Sequence, residues 1–492
     1  MTGKALMLQG TGSDVGKSVL TAALCRIAKR RGLSVAPFKP QNMSNNAMAC
    51  ADGGEIGRAQ ALQARAAGIE PSTDMNPVLL KPQSDRAAQI VLQGKALTTM
   101  EAMDYMAQRA SLMGAVMQSF SRLAETHDLV LVEGAGSPAE VNLRERDIAN
   151  MGFARHANVP VCLIGDIDKG GVIASLVGTQ TVLSEKDAAM IRGFVVNKFR
   201  GDPRLFDDGV AFIEVRTDWP CLGVIPWLRA SAKLPAEDAV VLERRPAPKT
   251  GQLKIVAPML SRIANFDDAD PLKLEPSVDF QWIPPGRPIP LDADLIILFG
   301  TKSTLGDLTF LKAQKWHHDI IAHANAGGHV LGICGGYQML GQTVHDPKGY
   351  DGLPGTEDGL GLLDVETTMT NAKHVAQVLA ASVQTGEPIT GYEIHTGKTS
   401  GPDTARPFSE VGGRPEGACS PDRRIQGTYL HGAFSDDAFR HAWLQRLGAH
   451  TSSKLNYEME VEASLDELAD GVEAALDTDA LFDLAETPNI SH

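Results

Sequence analysis

Residues Ala5–Ser18 read ALMLQGTGSDVGKS, and this stretch decides the first half of the fold. The apolar run Ala5–Leu8 leads into a loop, Gly10–Ser18, and a helix-like segment, VLTAALCRIAKRRG, follows. Strand, glycine loop, Lys-Ser and helix together form a phosphate cradle. Small residues let backbone N–H groups turn inward, the helix N-terminus adds positive potential, and Lys17 reaches the outer phosphates. Ser18 offers its hydroxyl to a magnesium ion. Gly12, Gly16, Lys17 and Ser18 are therefore the expected nucleotide-binding residues. The spacing departs from GxxxxGKS, because Thr11 holds the place of the first glycine and Gly10 lies one residue earlier.

Further short apolar runs repeat the pattern: SVAPFKP, LVLVEGAG, PVCLIGD, GFVVNKF and CLGVIP. Each ends in Gly, Pro, Asp or Asn and is separated from the next by a helical pattern, the signature of buried parallel strands. A charged, proline-bearing stretch, LERRPAPKTG (residues 242–251), reads as a linker. A second strand–helix series follows in LKIVAPML, LIILFG, HVLGIC and GTYLHG. The fold class is thus α/β, with two doubly wound parallel-sheet domains over residues 1–245 and 252–440. Residues 441–492 form an acidic helical tail. Leu465, Leu468, Val472 and Leu476 recur there at helical spacing, and Ser464 with Glu467 makes a capping box expected to open that helix.

The 492 residues carry 46 Lys and Arg against 60 Asp and Glu, a net charge of −14. That balance argues against nucleic acid or an anionic membrane as partner. Aromatic residues are 5% of the chain, too few for a base-stacking platform. The six cysteines are scattered with no CxxC pair, which fits a reducing cytoplasm rather than a zinc site or a disulfide framework. No stretch approaches the ~20 apolar residues of a membrane span. Oligomeric state is not legible in the sequence.

The GT opening and VGKS close of the phosphate loop resemble the dethiobiotin synthetase-like branch of P-loop enzymes, which use ATP to phosphorylate a carboxylate. The resemblance implies that Glu133, ending LVLVEGAG, binds magnesium with Ser18, with Glu55 a weaker magnesium candidate. It also implies that Asn197, ending GFVVNKF, contacts adenine, although Asn also ends strands simply to make a turn. Asp147, Asp166 and Asp168 read equally as site residues or as caps and ion-pair partners.

In the second half, residues 329–340 read HVLGICGGYQML. An apolar strand enters G-I-C-G-G and a helix opens. A nucleophile on such a strained elbow needs tiny neighbours, and Gly332 and Gly336 flank Cys334 at two residues each side. The helix N-terminus favours a thiolate and supplies N–H donors for an oxyanion. The thiol needs a base, for which His431 in GTYLHGAF is the candidate and His395 in GYEIHTGK the competitor.

GICGGYQMLG together with YLHG resembles the triad-type glutamine amidotransferases. The resemblance implies Cys334 as nucleophile on the glutamine side-chain amide and His431 as base, with oxyanion donors at the Gly335–Tyr337 backbone and near Gly300. Most members carry Glu two residues after the histidine, where this chain has Ala433. The third triad member is therefore absent or displaced, with Glu393 and Asp436 as substitutes.

Both halves in this order, with FKPQNMSNNA, EIGRAQALQA, NPVLLKPQSD, VEGAGSPAEVNL, GDIDKGGVIAS and NKFRGD in the first, resemble the cobyric acid synthase family over residues 1 to about 440. The resemblance implies amidation of the b, d, e and g carboxylates of adenosylcobyrinic a,c-diamide, a corrinoid, in cobalamin biosynthesis, with one ATP and one glutamine per step. Lys39, Gln41, Asn42, Asn45, Asn46, Lys81 and Arg86 form a polar set suited to an anionic polycarboxylate, though Asn-rich loops also arise from turn chemistry. Two alternatives stand beside this reading. One is cobyrinate a,c-diamide synthase or another amide ligase of the same architecture, and the other a ParA-like regulatory ATPase with an inactive glutaminase domain.

Overall fold

The computed structural model describes residues 2–84, 87–101, 104–105, 108–235, 253–352, 354–449 and 454–490. The expected linker at 242–251 and Arg86 lie outside them. In the first half, β1 (Lys4–Gly10) enters α1 (Lys17–Arg30), followed by β2 (Val35–Phe38), α2 (Arg58–Ala67), β3 (Leu129–Glu133), β4 (Val161–Asp166), β5 (Ile191–Phe199) and β6 (Cys221–Pro226). These form a parallel sheet in the order β6-β5-β4-β1-β3-β2. The six apolar runs of the sequence are these six strands. The central strands are apolar without alternation because helices cover both faces. Beside this sheet, four short strands (residues 41–43, 78–82, 87–92 and 95–101) make a smaller sheet that the sequence reading did not separate.

The second half contains β7 (Leu253–Pro258), β8 (Val278–Ile283), β9 (Leu295–Leu298), β10 (His329–Ile333) and the short α3 (Gly335–Leu340). A long hairpin, β11 (Glu366–Ser382) and β12 (Pro388–Ser400), precedes β13 (Ala418–Cys419), β14 (Ile425–Thr428) and β15 (Leu430–His431). The main sheet runs β8-β7-β9-β10-β14-β13, parallel except for its last pair. The β11–β12 hairpin, with β15 on its edge, forms an antiparallel layer that the sequence reading did not anticipate.

The halves share a polar and an apolar seam. Asn46 and Asn265 bond reciprocally: the Asn265 amide donates to Asn46 Oδ1 at 2.7 Å, and the Ala47 amide to Asn265 Oδ1 at 2.9 Å. Ala47, Ala49, Leu79 and Val91 pack with Tyr392 and Ile394 of β12. These contacts bring residues 41–58 against the thiol-bearing half.

The acidic C-terminal helix, α4 (Tyr457–Glu473), lies along α1. Its apolar stripe is buried as the spacing required: Leu465, Leu468 and Val472 are fully covered, each gaining ~1.5–3 kcal/mol. Its acids face a basic ridge, with Arg30 on Asp466 and Asp470 and Arg65 on Glu458 and Glu462. The helix starts eight residues earlier than the capping box implied. Asn456 is the cap, accepting from the Met459 amide at 2.9 Å, and Ser464 is buried in mid-helix. Tyr457 and Val461 supply the extra apolar turn that outweighs the Ser464–Glu467 signal.

Candidate active site

Two polar centres emerge, one at the C-terminal end of each main sheet, where parallel strands present their loops. In the first, the loop between β1 and α1 closes on Lys17, whose Nζ donates to Gly12 O at 2.8 Å and Gly136 O at 3.0 Å. Gly16 has φ 101°, and a Cβ there would fall 2.3 Å from Asn197 Nδ2. Asn197 buttresses the loop by donating to Val15 O at 2.8 Å, while its Oδ1 accepts from the Lys198 amide. Glu133, at the end of β3, is fully buried and accepts from Ser18 Oγ (2.7 Å), Lys39 Nζ (2.7 Å) and Gln63 Nε2 (2.6 Å). A carboxylate and a hydroxyl at hydrogen-bond distance beside a phosphate cradle are hard oxygen donors of the kind magnesium takes.

Glu55 does not join this pair. It is fully buried between Lys81, 2.6 Å away, and Lys373 of β11, and these ammonium groups hold its carboxyl low, at about 2, against the opposing effect of burial. Its charge is neutralised from both sides, by one lysine of each half. The polar set read from the sequence also divides. Lys39 sits on Glu133, Gln41 accepts from Tyr105 Oη, Asn42 donates to Gln60, and Asn46 ties the two halves. Asn45 and Lys81 instead reach the thiol cavity. Asp147 caps the turn at Ala149–Gly152, Asp166 pairs with Lys198, and Asp168 with Arg200.

In the second centre, Cys334 occupies the turn between β10 and α3 at φ 54°, a conformation that side chains other than glycine rarely adopt. The flanking glycines are required. A Cβ on Gly336 would fall 1.9 Å from Leu298 O, and one on Gly332 would fall 2.6 Å from the Gly336 carbonyl. The thiol opens on a pocket lined by Thr301, Lys302, Gln338, Asp351 and His395. Gly300 lies beside both groups: a Cβ there would fall 3.3 Å from His431 Cε1 and 3.7 Å from Cys334 Cβ, so the missing side chain keeps this side of the thiol and the imidazole open.

His431, on β15, is buried, and its Nδ1 lies 2.7 Å from Asp268 Oδ2. Burial opposes its charge, but Asp268 and the Cys334 thiol outweigh burial and push it up to about 10. An imidazole favoured in its charged form is placed to take a proton and return it to a departing nitrogen. Tyr392 stacks on the ring at 5.2 Å.

Asp268 thus fills the place expected of Glu393 or Asp436. Glu393 accepts from His374 and Arg414, and Asp436 caps the helix beginning at Asp437. The competitor His395 lines the cavity but stacks on Tyr429 at 3.9 Å, and burial pushes it down to about 4. The signal for Asp268 was the run NFDDAD at 265–270, two adjacent acids after the first strand of the second half.

A model of the CobQ/CobB/MinD/ParA nucleotide binding domain matches residues 6–241, and one of the CobB/CobQ-like glutamine amidotransferase domain matches residues 254–439. The chain is 64% identical to a cobyric acid synthase of Hyphomonas neptunium over 488 residues, covering 99% of each chain. It is 63% identical to one of Paracoccus denitrificans and 58% to one of Brucella suis, over 98% of this chain and 99–100% of theirs.

Proposed function

The chain belongs to the cobyric acid synthase family, glutamine-hydrolysing carbon–nitrogen ligases, and from that premise we propose how its two centres divide one reaction. The first centre binds ATP through Gly12, Gly16, Lys17, Ser18 and Asn197 and transfers its terminal phosphoryl group to a carboxylate of adenosylcobyrinic a,c-diamide. Ser18 and Glu133 hold magnesium, which when bound offsets the charge of the phosphates. A carboxylate is a poor electrophile, and the acyl phosphate gives it a good leaving group.

In the second centre the Cys334 sulfur attacks the glutamine amide carbon. His431 passes its proton to the departing nitrogen, releasing ammonia and leaving a thioester that water hydrolyses to glutamate. Ammonia then displaces phosphate from the acyl phosphate to give the amide at the b, d, e and g positions in turn. No described helix is long and apolar enough to cross a membrane, and the six described thiols are all free, which supports a cytoplasmic setting.

The single observation that carries this reading is the contact of His431 with Asp268. It completes a nucleophile, base and acid on a chain that also bears the phosphate loop, and it disfavours the regulatory-ATPase alternative, which needs no intact triad. The test compares Cys334→Ala with glutamine and with ammonium salts as nitrogen source. Glutamine-driven amidation of the corrinoid is expected to vanish and ammonium-driven amidation to survive. Survival of both would remove Cys334 from the mechanism, and an acceptor other than the a,c-diamide would favour another amide ligase of this architecture.

A further inference from the structure

Free glutamine presents three things to the thiol cavity: the amide to be cleaved, an α-carboxylate and an α-ammonium. Cys334, His431 and Gly300 account for the amide. The charged ends need an opposite charge each, close together and shielded from water, because charge-assisted hydrogen bonds gain most where solvent is excluded.

The cavity wall has such a pair. Lys302 follows Gly300 by two residues and is 8% exposed, and Asp351 is 7% exposed. Their ion pair, Nζ to Oδ1, is 3.7 Å long, beyond hydrogen-bond reach. Asp351 is held rigidly, since its Oδ2 accepts from the Thr304 amide at 2.8 Å and from Thr304 Oγ1 at 2.9 Å, leaving Oδ1 as the oxygen turned to Lys302. The other two lysines at this cavity, Lys81 and Lys373, share Glu55 at contact distance. Burial pushes the Lys302 ammonium below the usual lysine range more than Asp351 raises it, the mark of a cation short of anionic partners.

We propose that Lys302 and Asp351 are the glutamine-recognition pair, Lys302 receiving the α-carboxylate and Asp351 Oδ1 the α-ammonium. Glutamine replaces one loose ion pair by two close ones and turns its amide toward Cys334. This inference rests on the glutamine-hydrolysing role above.

The test measures ammonia release by the full-length chain from glutamine, from glutamine α-amide, which lacks the carboxylate, and from glutaramate, which lacks the ammonium. The native chain is expected to favour glutamine over each analogue by roughly 10- to 100-fold in kcat/KM. Lys302→Met should erase the preference over the α-amide and keep that over glutaramate, and Asp351→Asn should do the reverse. Lys302→Arg and Asp351→Glu should restore part of each. Ammonium-driven amidation reports whether each variant has folded, and Lys302→Gln replaces Lys302→Met if that variant does not. Variants that keep both native preferences would overturn the assignment. A native chain that releases no ammonia from glutamine at all would instead overturn the reading of the second centre.

Discussion

His431 Nδ1 lies 2.7 Å from Asp268 Oδ2, across 163 residues of sequence. The other carboxylate oxygen accepts the Gly432 amide at 2.6 Å, so Asp268 grips both the ring and the backbone that carries it. An imidazole held through Nδ1 presents Nε2 toward the thiol side. Asp268→Asn would offer an N–H where an acceptor is needed and favour the wrong tautomer. Glutaminase kcat is expected to fall by roughly 10²- to 10⁴-fold. Glutamate release measures this, and amide formation from ammonium chloride serves as the control. Equal loss of both would assign Asp268 to folding rather than to the base.

The same contact sets a pH dependence of stability. His431 is carried from an ordinary value of 6.5 to about 10, with Asp268 and Cys334 outweighing burial. A group raised on folding contributes stability that is fully present below its unfolded value and is lost as pH rises through the folded one. The difference in Tm between the native chain and His431→Gln should therefore narrow steadily from pH 6.5 to 10. A difference constant over that window would mean that the folded imidazole is neutral throughout.

Glu133 gathers Ser18, Lys39 and Gln63 on one buried carboxylate. Glu133→Gln removes the negative charge from the nucleotide centre and leaves the Lys39 ammonium buried without it. Amidation is expected to drop by roughly 100-fold or more with either nitrogen source, because the phosphoryl-transfer step serves both. Glutamine hydrolysis should persist, since Cys334, His431 and Asp268 lie in the other half. Amidation that fails with glutamine alone would instead place Glu133 in the passage of ammonia.

Strand identity was legible because buried parallel strands read as unbroken apolar runs, and all six of the first sheet were visible in this way. The nucleophile was legible because a strained turn at Cys334 forces glycine at 332 and 336. Residues that act through long-range contact were not. The run NFDDAD does not say which of Asp267, Asp268 and Asp270 reaches His431, and Glu55 looks in sequence like any acid near a phosphate loop until Lys373, 318 residues away, closes on it. The β11–β12 hairpin was missed because its exposed, polar-rich strands lack the apolar run that marks the others. The helix start at Tyr457 was misplaced because a capping box describes local hydrogen bonds, whereas packing against α1 decides how far the helix extends.

Arg440 and Glu275, both fully buried, meet at 2.6 Å, and the same guanidinium donates to Phe434 O, Leu455 O and Asp437. One side chain thus ties the segment before β8 to the chain entering α4. A buried pair gains little over an apolar replacement, because desolvation offsets attraction, but removing one partner leaves the other buried on weaker compensation, Arg440 with Asp437 and Glu275 with His441, at a cost of up to ~3–5 kcal/mol. Arg440→Met should lower the urea midpoint of the second half accordingly, and Glu275→Leu should do likewise. If the charge is the cause, the double variant loses less than the sum of the two, since neither ion then remains. Strict additivity would locate the loss in the carbonyl bonds to Phe434 and Leu455, making Arg440 a strut for the C-terminal segment rather than half of an ion pair.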